Sequence, residues 1–148
     1  MYRKLNKMSI KHTAAVFVSL FFLMAGQVFA DVAVIANKGI SVDSISAKEA
    51  KKLWLGKSKS LGGTNVKLAD LKPGDASRDQ FYANVVKKSE KKLKSYWAKI
   101  VFSGKGTPPK PFASDADVID WVAKTPGALG YVDSSAAADS VKVLLVIK

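Results

Sequence analysis

The chain has 148 residues, with 24 Lys and Arg against 12 Asp and Glu, for a formal charge of +12. It contains no cysteine and a single histidine, His12. Those counts remove disulfide stapling, thiol nucleophiles and nearly all zinc or copper ligation, so neither a metal nor a cofactor is expected.

Residues 1–30 carry the pattern of a cleavable signal peptide. Arg3, Lys4, Lys7 and Lys11 precede an apolar run over residues 14–24, and Val28-Phe29-Ala30 puts small or modest residues where a signal peptidase needs them. The apolar run is shorter than the ~20 residues that span a bilayer, which favours cleavage after Ala30 over an anchor. No cysteine follows it to carry a lipid. Residues 31–148 then form the exported domain, 118 residues with a formal charge of +8 and no histidine. That length suits one domain with one core. Without His or Cys a Ser-His-Asp or Cys-His mechanism is impossible there, and an enzyme is not expected.

In chain order, Val32-Ala33-Val34-Ile35-Ala36 predicts a short strand closed by Asn37-Lys38-Gly39. Ser46-Ala47-Lys48-Glu49 is a capping box, opening a helix that runs through Leu53 and Trp54 to a stop at Gly56. Residues 66–70 alternate like a strand, punctuated by Pro73-Gly74. A second helix is expected from about Asp75, burying Phe81, Val85 and Tyr82 or Val86. Ser89 caps a third, with a stripe of Leu93, Trp97 and Val101 flanked by Tyr96 and Ile100. Residues 103–112 read as a Gly/Pro loop without regular structure. A fourth helix starts at Ser114-Asp115-Ala116-Asp117 and ends at Thr125-Pro126-Gly127. Strands over residues 128–132 and 141–147 finish the chain. Strands interleaved with helices predict an α/β fold, a small mixed sheet flanked by helices. Trp54, Trp97 and Trp121 fall on apolar helix faces and are expected in the core.

Several motifs, taken in order, resemble the periplasmic phosphate-binding protein family of ABC transporters. They are Leu53-Trp54-Leu55-Gly56-Lys57, Ser77-Arg78-Asp79-Gln80-Phe81-Tyr82, Tyr96-Trp97 and Val101-Phe102-Ser103-Gly104-Lys105-Gly106. The most specific is the helix, Pro-Gly turn and strand that end in Thr125-Pro126-Gly127-Ala128-Leu129-Gly130-Tyr131-Val132. The resemblance covers most of residues 31–148. It implies one lobe of a type II periplasmic binding protein, phosphate or a related oxyanion as ligand, an ABC permease as partner and the periplasm as location. Members of that family close two lobes over the anion, whereas 118 residues resemble little more than one. The family's phosphate loop reads Ser-Gly-Thr before a helix, with an arginine upstream. The corresponding stretch here is Gly74-Asp75-Ala76-Ser77-Arg78, with Asp70 and Leu71 near the arginine's place. Ser77 stands for the threonine, Arg78 is an added cation, and Asp75 either caps the helix or repels a dianion.

The chemistry of residues 74–78 supports the same choice of site. A helix N-terminus presents free amides and the positive end of its dipole, a serine hydroxyl donates to an oxyanion, and an arginine fork matches two oxygens. The competing reading is an Asp75 or Ser77 cap followed by a solvated Arg78. A second candidate is the loop Gly104-Lys105-Gly106-Thr107-Pro108-Pro109-Lys110, where Lys105 and the Thr107 hydroxyl face an anion or simply belong to a connector. The basic excess is almost entirely lysine, with Arg78 the one arginine after residue 30. Base-reading interfaces favour arginine, so nucleic acid is not expected as a partner. Membrane contact is expected only through the permease. The alternative to solute capture is an envelope protein-interaction module built on a lobe that no longer binds solute.

Overall fold

The computed structural model describes residues 30–148. The signal-peptide reading falls on residues 1–29 and lies outside the described residues. β1 (Val32–Ala36) is buried at every position, as is β6 (Ala128–Asp133) up to its last residue. Unbroken apolar runs of this kind mark strands covered on both faces. With β4 (Lys67–Leu71), β5 (Lys110–Phe112) and β7 (Lys142–Ile147) they form a mixed sheet in the order β5-β4-β6-β1-β7. β4 runs parallel to β5 and β6, while β1 is antiparallel to β6 and β7. β2 (Ser60–Leu61) and β3 (Thr64–Asn65) make a separate small hairpin turned by Gly62-Gly63.

Helices cover both faces. In α1 (Ala47–Trp54) the capping box closes as expected: Glu49 N donates to Ser46 Oγ at 3.2 Å and Ser46 N donates back to Glu49 Oε2 at 2.7 Å. α2 (Ala76–Phe81) passes directly into a π-helical turn, Tyr82–Val86, that ends at Lys87 with a left-handed φ of 60°. α3 (Glu90–Phe102) and α4 (Asp115–Lys124) carry serine caps at Ser89 and Ser114. Successive residues of β6 show how the layers sit, since neighbours on a strand point to opposite faces. A Cβ at Gly130 would meet Val118 Cγ1 at 2.6 Å and Val122 Cγ2 at 3.3 Å, so glycine lets α4 press onto the sheet. Tyr131 points the other way and stacks on Phe81 at 4.1 Å with Trp54 edge-on at 6.0 Å, joining α1 and α2 beneath the sheet.

The α/β class and the mixed sheet flanked by helices match the sequence expectation. Several details differ. Lys110–Phe112, expected to be loop, is a strand because the open edge of β4 offers a parallel ladder, pairing Ala69 with Lys110 and Leu71 with Phe112. Pro111 is tolerated because β5 is itself an edge strand. Val101 is half exposed at 51%, because the buried stripe of α3 turns toward Tyr96 and Ile100 instead. Trp54 and Trp97 are buried as expected, but Trp121 is only partly covered.

Candidate functional site

Two regions at opposite ends of β4 bring together the charged residues singled out by the sequence. At the C-terminal end lies a buried polar network centred on Asp70, which is 7% exposed, and Arg78, which is 6% exposed. Asp70 Oδ2 accepts from Tyr82 OH at 2.8 Å and pairs with Arg78 Nη1 at 2.6 Å. Asp70 Oδ1 accepts from Leu71 N at 2.9 Å and, at close range, from Tyr131 OH. Arg78 directs three further donors to Leu71 O at 2.8 Å and to Glu90, through Nη2 at 2.8 Å and Nε at 3.3 Å. Its guanidinium also sits 4.7 Å from the Tyr82 ring centre. Burial works against the Arg78 charge, yet Glu90 and Asp70 together hold its pKa above the ordinary value. Burial, reinforced by the Asp70 charge, pushes the Tyr82 and Tyr131 phenols well up.

The amides that begin α2 are occupied from within the chain. Asp75 is the N-cap, and its Oδ1 accepts from Ser77 N at 2.9 Å and from Arg78 N at 3.2 Å. Gly74 precedes it with φ 90°, turning the chain from β4 into the cap. Ala76 is exposed and Ser77 half-buried. Residues 74–78 therefore lie together as the sequence suggested, but the carboxylate of Asp75 takes the position an external oxyanion needs, and Arg78 points into the network. The neighbourhood is acidic as well. Asp115 Oδ2, at the start of α4, accepts from Asp133 N at 3.2 Å at the end of β6, and Asp115 Oδ1 is buried without a hydrogen-bond partner. Burial first, and then the charges of Asp75 and Asp133, raise the Asp115 pKa against the opposing Asp133 amide.

At the N-terminal ends of β4 and β5 the chain forms a cleft of about 730 Å³. Five lysines line it: Lys57, Lys59, Lys67, Lys105 and Lys110, and no Asp or Glu does. Thr107 stands on its rim, and Tyr96, Trp97, Ile100 and Trp121 contribute apolar wall. Tyr96 OH donates to Leu55 O at 2.6 Å, tying α3 to the end of α1. Lys110 Nζ lies 5.2 Å from the Phe112 ring centre and 5.7 Å from that of Trp121. The structure thus brings Lys105 and Thr107 together in this cleft, and none of residues 74–78 lines it. Sequence reading missed Lys57, Lys59 and Lys67 as members of this cluster. Their spacing carries no motif, and only the hairpin and the strand order bring them to one place.

No protein-family model matches the sequence, and no curated protein matches it. Solved structures do. A phosphate ABC transporter substrate-binding protein of Clostridium perfringens, solved with bound phosphate, superposes with a TM-score of 0.63 at 21% identity over 78% of this chain. An ABC-type phosphate transport receptor of Vibrio cholerae gives 0.63 at 13%, and PstS of Borrelia burgdorferi 0.60 at 16%, each again over 78% of this chain. The chain spans less than half of those proteins, 45%, 46% and 47% of their lengths. At these identities the likeness is one of fold: this chain is built like part of those phosphate transport proteins.

Proposed function

We propose that the protein is an exported, non-enzymatic binding module on a single solute-binding lobe, taking phosphate or a related oxyanion for delivery to an ABC permease. The fold shared with transport proteins, one of them solved with phosphate, is the observation that carries this reading. The signal-peptide pattern of residues 1–30 and the excess of lysine support it. The binding residues under this proposal are Gly74, Asp75, Ala76, Ser77 and Arg78, with Asp75 as the gate. An anion reaches the amides of Ser77 and Arg78 only by displacing the Asp75 carboxylate, and binding needs no chemistry beyond that exchange.

A second reading has its own support. The Asp75 cap already occupies the amides of Ser77 and Arg78, and the Arg78 side chain is already paired with Asp70 and Glu90. A lobe so closed serves as a protein-interaction module in the envelope instead of holding solute. Calorimetric titration of orthophosphate separates the two, using the native protein and Asp75→Ala. Solute capture predicts saturable heat at millimolar phosphate or below, stronger in Asp75→Ala, with backbone amide shifts at Ser77 and Arg78. No heat and no thermal shift in either protein sinks the phosphate reading and leaves the interaction module.

A further inference from the structure

The lysine cleft has features that the fold itself does not demand. Its ammonium groups come from separate stretches of chain: the turn after α1, the start of β4, the loop after α3 and the start of β5. Lys57 and Lys105 follow the C-terminal ends of α1 and α3, where cations complement the helix dipole. Lys59, Lys67 and Lys110 stand at strand beginnings and not at helix ends, Lys110 resting over the Phe112 and Trp121 rings. None of the four ion pairs among the described residues uses a cleft lysine. Five like charges thus share one concave surface without a carboxylate among them.

We propose that this cleft is a binding site for a ligand carrying two or more linked phosphate groups. Lysine binds phosphate oxygens as a compact point charge, without the bidentate geometry of the arginine fork that this cleft lacks. A single phosphate engages one or two exposed ammonium groups and gains little from them. Linked phosphates span several at once, and the Thr107 hydroxyl adds a neutral donor. The volume of about 730 Å³ lies within the range of small-molecule sites. The partly covered Trp121 offers an apolar face to any organic group the phosphates carry. The site lies at the other end of β4 from residues 74–78, so it does not depend on orthophosphate capture there.

Inorganic tripolyphosphate and adenosine triphosphate are the probes, titrated into the purified protein and followed by tryptophan fluorescence, because Trp97 and Trp121 line the cleft. At least one probe is expected to saturate the protein at least tenfold more tightly than orthophosphate. The double variant Lys67→Glu/Lys110→Glu should weaken that binding by at least tenfold while keeping its circular dichroism spectrum. Lys67→Gln/Lys110→Gln, expected to lose less, replaces it if charge reversal prevents folding. Equal affinity for both probes assigns the inorganic chain, and tighter adenosine triphosphate assigns an organic phosphate resting on Trp121. Amide shifts at Thr107 and Lys110, as opposed to Ser77 and Arg78, distinguish this site from the phosphate reading above. The proposal is overturned if neither probe saturates or if the lysine substitutions leave the affinity unchanged. It is equally overturned if poly-glutamate competes as well as the phosphates do, which makes the cleft a contact for acidic protein.

Discussion

Arg78 joins the sheet to α2 and α3 through four partnered donors, on Asp70, Leu71 O and Glu90. Taking away one side of a buried ion pair strands the other, and such losses cost about 3–5 kcal/mol. Arg78→Ala leaves Asp70 buried beside two tyrosines with no cation, and denaturant unfolding should show a loss of that size. Arg78→Lys keeps the charge but not the fork that reaches Leu71 O and Glu90 together, and should recover only part of it. The same network predicts a pH response. Tyr82 and Tyr131 have raised pKa values in the folded protein, so near pH 10 the unfolded chain releases phenolic protons that the folded chain keeps. Stability contributed by these groups is complete below pH 10 and falls as the pH rises beyond it. Tyrosinate absorbance should therefore include a step that coincides with unfolding by circular dichroism, and a gradual titration of these phenols in the folded protein would contradict it.

Gly130 sets how closely α4 rests on β6. Gly130→Ala brings a methyl within 2.6 Å of Val118 Cγ1, 3.3 Å of Ala69 Cβ and 3.3 Å of Val122 Cγ2. Relief requires α4 to move outward, and overpacking of this kind costs about 1–3 kcal/mol. A lower denaturation midpoint with an unchanged slope is the expected result, and equal stability would mean that α4 shifts freely. This region was legible in the sequence because Pro126, Gly127 and Gly130 each have a local reason to be there. The capping box at Ser46 was legible on the same grounds. The π-helical turn at Tyr82–Val86 and the strand at Lys110–Phe112 were not, since the first follows from packing and the second from an edge that β4 leaves open. The site was half legible. Glycine, acid, serine and arginine at 74–78 announced a helix start, but nothing local announced that Arg78 would find Asp70 and Glu90 in neighbouring elements.

Across the whole molecule the two ends of the parallel strands differ in sign. Asp70, Asp75, Asp115 and Asp133 gather at the C-terminal ends, with Arg78 committed to internal pairs, while five lysines surround the opposite cleft. Two like charges roughly 8 Å apart in water repel by about 0.5 kcal/mol. Like charges gathered on one cleft work against folding, a cost typical of functional surfaces. Changing Lys59, Lys67 and Lys110 together to Gln should raise the melting temperature at low ionic strength. At high salt the gain should vanish, because the repulsion is screened over a Debye length of about 3 Å at 1 M. Melting curves of the native and triply substituted proteins at both salt concentrations check this directly. If the gain is the same at both, the lysines are independent solvated side chains, and the cleft has no concentrated field with which to draw an anion.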